Sequence, residues 1–140
     1  MSLVLQYRAS KKVNACANTK CAVLKAVHEK DSEKILKDLV KRYTAIAKSD
    51  LSQEKKDAKK AVIREELSQR KPILEYRRCL DTLCEKPVMN LAKATVKLIE
   101  AAKVSTNIHK ALLDEIQTHI KNKTVTSKII SGVLARLPVG

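Results

Sequence analysis

Phenylalanine and tryptophan are missing from this chain of 140 residues, and Tyr7, Tyr43 and Tyr76 are its only aromatics. Glycine occurs only at Gly132 and Gly140, and proline only at Pro72, Pro87 and Pro138. Strands draw on aromatic and β-branched side chains, and tight hairpins need residues that tolerate positive φ. Their scarcity argues against a β fold. With two glycines near the C-terminus, neither a phosphate-cradling loop nor a dinucleotide fingerprint can be built. There is no H-E-x-x-H and no nucleophile elbow, and His28, His109 and His119 are scattered. The sequence thus predicts no catalytic residues, no cofactor, no small-molecule substrate and no enzyme activity. No run of about 18 apolar residues occurs, so no transmembrane segment is expected. Met1 to Leu5 is too short for a signal-peptide core. The first 28 residues hold no acid, as a mitochondrial presequence would, but they carry one Arg and run into a helical pattern. The sequon Asn122-Lys123-Thr124 is read as unused.

Acidic residues are also in short supply. Fifteen Asp and Glu face 29 Lys and Arg, a formal charge of +14. The excess is spread over the chain: 11 basic and 5 acidic groups in residues 1–50, 12 and 8 in 51–100, and 6 and 2 in 101–140. Such a field draws polyanions. Cys16, Cys21, Cys79 and Cys84 form two C-x4-C pairs. A five-residue step puts the members of a pair on divergent sides of a helix. No metal site is expected, and the cysteines are read as buried, reduced thiols of a cytosolic protein.

What is abundant is Ala, Leu, Lys, Glu and Gln, the vocabulary of helices. The expected fold is all-α, one domain over residues 1–140, a bundle of about six to seven helices joined by short loops. Helices are predicted from about Val13 to His28, Glu33 to Lys48, Gln53 to Arg70, Pro72 to Glu85, Val88 to Lys103, Asn107 to Asn122, and from Thr126 or Ser127 to near Leu134. A break is expected at Glu29–Ser32, with Asp31 or Ser32 as a cap. Ser105 or Thr106 is the expected cap of the sixth helix. Pro72 ends or kinks the third helix and can open the fourth.

The basic residues Lys60, Arg64, Lys71 and Arg78 fall within about 40° of one another at 100° per residue, provided Pro72 leaves the phase intact. Arg70 and Arg77 make an adjacent row, and Lys86 follows. Val62, Ile73, Tyr76, Leu80 and Leu83 lie opposite, as a core face. The bland alternative is a solvated face paired to Glu65, Glu66, Glu75 and Asp81. Single-strand readers stack bases on aromatics, which this chain lacks. Duplexes are gripped through phosphates and sugars by Lys, Arg and polar groups. Double-stranded RNA is the expected partner, its grooves being recognised by shape and 2′-hydroxyls, and DNA reading by a helix-turn-helix stays open although Gly is missing from the turns.

The stretch Arg78-Cys79-Leu80-Asp81-Thr82-Leu83-Cys84-Glu85-Lys86-Pro87 resembles a motif of the small RNA-silencing suppressors of insect nodaviruses. Arg78, Leu83, Lys86 and Pro87 match it, Thr82 stands for Ser, and Cys84 for a second Leu. Lys71 occupies the family's basic position seven residues before the Arg. The resemblance implies a homodimeric viral protein of the host cytoplasm. It would bind duplex RNA without regard to sequence and shield it from silencing. It implies one long helix from about Ala58 to Glu85, a suppressor-like region over residues 1–90, and additional C-terminal helices over 91–140. The alternatives are a helical nucleocapsid or ribonucleoprotein assembly protein, and an adaptor with a basic face.

Overall fold

The computed structural model describes residues 2–102 and 107–137, and every regular element among them is an α-helix. The order is α1 (Ser2–Lys20), α2 (Ala22–Lys48), α3 (Gln53–Ser68), α4 (Lys71–Leu83), α5 (Glu85–Ala101), α6 (Asn107–Asn122) and α7 (Ser127–Arg136). The fold is all-α, as the composition implies.

α1 begins at Ser2, eleven residues before the expected start at Val13, and two further boundaries differ from the sequence expectation. The break expected at Glu29–Ser32 is absent, and α2 runs straight through it. That stretch is charged but holds neither Gly nor Pro. Ser32 Oγ donates back to the His28 carbonyl at 3.0 Å instead of capping a new helix. The break falls at Cys21, where α1 gives way to α2. At the other boundary, α5 begins at Glu85, three residues early, because Pro87 is tolerated in a first turn. The proposed caps Ser105 and Thr106, and the expected end at Lys103, lie outside the described residues.

Pro72 does interrupt the third helix. Its ring opposes the carbonyl four residues back and it has no amide to donate. The last turn of α3 tightens accordingly: the Gln69 and Arg70 amides donate to the carbonyls of Glu66 and Leu67, both at 3.2 Å. α4 then restarts at Lys71. The single helix from Ala58 to Glu85 is therefore not formed. With it goes the assumption of a continuous phase, and so does most of the expected core face. Leu80 is buried, but Val62 is 67% and Leu83 50% exposed, and Ile73 and Tyr76 are half-buried. On α3 the buried side chains are Ile63 and Ser68.

The chain divides into two compact units, Met1–Ala22 with Arg77–Gly140, and Val23–Tyr76. The first holds nearly the whole core. Ala9, Val13 and Ala17 repeat every four residues on α1 and bury one stripe. α1 packs on α5, whose Val88, Ala92, Thr95 and Ile99 are buried in turn, and α5 also packs on α6 and α7. Leu112 and Ile116 of α6, and Ile130 and Val133 of α7, complete the interior. Thr126 caps α7 by accepting from the Ile129 amide at 3.3 Å. Asp81 Oδ1, which the bland alternative pairs with a basic side chain, accepts from the Ser127 amide at 2.8 Å.

The cysteines are not free thiols. Cys16 is bonded to Cys84 and Cys21 to Cys79. This overturns the reading of reduced cysteines. Each lies near a helix junction, Cys16 and Cys21 where α1 ends and Cys79 and Cys84 where α4 meets α5, so a long sequence separation is closed between neighbouring backbones. Spans of 58 and 68 residues correspond to roughly 4 kcal/mol of loop entropy for the first closure. The second adds less, because it closes only the short ring left outside the first.

The second unit is a helical insert between Cys21 and Cys79. Its helices α2 and α3 are joined through residues 49–52, with Ser52 capping α3 by accepting from the Lys55 amide. They run antiparallel, since Asp31 meets Arg70, Arg42 meets Glu66, and Lys56 Nζ donates to the Ala47 carbonyl. α2 has 27 residues and buries none of them.

Candidate nucleic-acid interface

The sequence-predicted residues are spread over α3, the break after it, α4 and α5. Lys60 and Arg64 stand one turn apart on α3, and both are half-buried. Arg70 lies in the break between α3 and α4. Its Nε and Nη2 each donate to an Asp31 carboxylate oxygen at 2.6 Å. Lys71 opens α4, with its side chain 85% exposed and Nζ 3.8 Å from Glu75. Arg77 is half-buried and Arg78 exposed further along α4, and Lys86 is exposed in the first turn of α5. Lys71 and Arg78 share a helix at a spacing of seven, so their directions differ by about 20°. Across residues 69–70 the α3 residues lose that phase relation.

Residues of the nodavirus-like motif are likewise divided. Arg78 to Leu83 belong to α4, and Lys86 and Pro87 to α5. Cys84, which stands where the motif has Leu, is buried and disulfide-bonded.

Charge is distributed unevenly between the units. Met1–Ala22 with Arg77–Gly140 carry 15 Lys and Arg against 5 Asp and Glu, a formal +10. Val23–Tyr76 carry 14 against 10, a formal +4. The insert also spends cations on its own acids, through Arg42–Glu66 at 2.7 Å, Arg70–Asp31 and Lys25–Glu29. In the disulfide-bonded unit, by contrast, Lys86, Lys93 and Lys97 line up on α5. At spacings of seven and four residues they lie within about 40° of one another and span about 16 Å. All three are exposed, and none has an ion pair among the described residues. α1 adds exposed Arg8, Lys11 and Lys12, with Lys11 Nζ 4.8 Å from the Tyr7 ring centroid. No acid occurs in α1 at all.

Neither family models, nor curated proteins, nor solved structures give a match to this chain.

Lys93, Lys97, Arg8, Lys11 and Lys12 are absent from the sequence-predicted set. Their signal was present: a 7–4 lysine spacing and an acid-free N-terminal helix. A row of unpaired ammonium groups on a rigid helix can neutralise successive phosphates, but it offers no donor–acceptor pattern that distinguishes bases. Among the described residues no group of His, Cys, Asp and Glu could hold a metal ion, and no helix is long and apolar enough to cross a membrane.

Proposed function

We propose that this protein binds double-stranded RNA without regard to sequence, through the phosphate backbone, and that Lys86, Lys93 and Lys97 on α5 form the main contact row. The observation that carries the reading is that row: three exposed lysines, with no ion pair among the described residues, in the unit that holds +10 of the +14 charge. Lys71 and Arg78 on α4 contribute further contacts, with Arg77 of α4 and Lys60 and Arg64 of α3 secondary because they are half-buried. The paucity of aromatics favours a duplex over a stacked single strand.

The motif at Arg78–Pro87 extends the reading to shielding viral duplexes from host silencing in the cytoplasm, as a homodimer. Exposed Leu36, Val40 and Val62, in an insert that buries little of its own, support self-association.

The test is a gel shift with duplex RNA, duplex DNA and single strands, for the wild type and for the triple variant K86E/K93E/K97E. Duplex RNA should bind most tightly, with a log–log salt slope of several units. The variant should keep its helicity and lose about 100-fold or more in affinity. Wild-type affinity in a folded triple variant rejects the α5 row. A preference for single strands favours the assembly-protein alternative.

A further inference from the structure

The Val23–Tyr76 insert lacks a core of its own. Over its whole length only Ile63 and Ser68 are buried, and α2 contributes no buried residue. Isolated helices without a packed apolar face are marginal in water. Within the insert, Asp31–Arg70, Arg42–Glu66 and Lys56–Ala47 pair the two helices and Tyr76 stacks on His28, and closure of its ends adds to these contacts. Cys21 and Cys79 flank the insert on either side, and the bond between them holds those ends together.

The remaining unit is built differently. Val88, Ala92, Ile99, Leu112, Ile116, Ile130 and Val133 are buried there. It is also prepared for reduced sulfur. Cys79 Sγ lies 3.7 Å from the Lys20 carbonyl oxygen and Cys16 Sγ 3.7 Å from that of Leu83, so each thiol would find an acceptor on breaking its bond. The two bonds share an asymmetry: Cys21 and Cys84 are buried, whereas Cys16 and Cys79 are half-exposed.

We propose that Cys21–Cys79 is a redox-operated lock on the insert. Oxidised, it holds α2 and α3 paired. Reduced, it lets the insert open while the α1–α5–α6–α7 unit stays folded. The reductant is a dithiol of the kind that keeps a cytosol reduced. Its thiolate attacks the half-exposed Cys79 sulfur, forming a mixed disulfide and releasing the Cys21 thiolate, which takes up a proton. The reagent's second thiolate then displaces Cys79. Two electrons pass to the protein, Cys21 and Cys79 end as thiols, and the reagent ends as its own disulfide.

Hydrogen exchange of the full-length chain, with and without a water-soluble dithiol, tests the lock. A thiol titration before reduction should find no free cysteine. After reduction, amides in residues 23–76 should exchange at least about tenfold faster, while those of residues 88–99 and 109–133 keep their protection. C21S/C79S should reproduce the reduced pattern without reductant, and C16S/C84S, which keeps the inner bond, should not. Four free thiols in the untreated protein overturn the proposal. So does an insert equally protected in both states, or a simultaneous loss of protection in both units.

Discussion

Arg70 lies across Asp31 as a two-pronged fork, Nε and Nη2 each 2.6 Å from a different carboxylate oxygen. Arg70, one of the expected phosphate contacts, thereby holds α2 beside the end of α3. The Arg70 hydrogen bond is the main reason that the Asp31 carboxyl titrates below its usual range, with burial opposing it and the Arg70 charge reinforcing it. Arg70 is held above its own usual value by the same bond.

The sign of the pH effect follows. A carboxyl depressed in the folded state contributes stability that is fully present above its unfolded pKa, about 3.9, and lost as pH falls through the lower folded value. Acid unfolding followed by circular dichroism should show that loss in the wild type and lack this component in Asp31→Asn. Arg70→Ala should destabilise the insert yet change duplex-RNA affinity by less than about twofold, since its charge is already engaged. A large drop in affinity with unchanged exchange rates returns Arg70 to the binding surface.

Tyr76 stacks on His28, ring centroids 5.4 Å apart and planes 18° from parallel. Burial is the main cause raising its phenol above the usual value, and the Glu29 charge adds to it. An acid raised in the folded state contributes stability present below its unfolded pKa, about 10, and lost as pH climbs through the folded value. Ultraviolet titration should show a late tyrosinate component that Tyr76→Phe removes. Its persistence in that variant contradicts the assignment.

Core truncations should separate the real interior from the one inferred from periodicity. Ile116 is fully buried, so Ile116→Ala should cost about 2–5 kcal/mol in urea unfolding. Val62 was expected in the core but is 67% exposed, and Val62→Ala should stay within about 0.5 kcal/mol of wild type. Comparable losses at both sites contradict this core.

Lys123 ends α6 with φ at 57°, and the Thr124 amide donates to the His119 carbonyl at 2.9 Å. A side chain at positive φ is strained there, and glycine is the usual occupant of that position. Lys123→Gly should stabilise the protein by about 0.5–1 kcal/mol, read as a raised denaturant midpoint. Destabilisation argues that the lysine side chain has a packing role.

Helix content was legible because it depends on local propensity, and α3, α6 and α7 end within two residues of where the pattern puts them. The α1–α2 junction was illegible because the charged stretch Glu29–Ser32 resembles a linker, while the true break at Cys21 carries no Gly, Pro or cap signal. The disulfides were missed for a related reason. The five-residue step relates the members of each C-x4-C pair, whereas the bonded partners sit almost 60 and 70 residues away. The basic surface was half legible: net charge announced it, but periodicity was extended over Pro72, where the phase breaks. Of the row on α5, Lys86 falls within the resemblance, whereas Lys93 and Lys97 lie beyond it.

The nested bonds carry a consequence for how the chain assembles. Cys16 and Cys21 step forward by five residues while their partners Cys84 and Cys79 step back by five. Shift the N-terminal helix along its neighbour by a single turn and every sulfur confronts a residue that cannot oxidise. Oxidation therefore proofreads the threading: a refolding population that has consumed all its thiols as intramolecular 16–84 and 21–79 pairs has seated that helix in the right place.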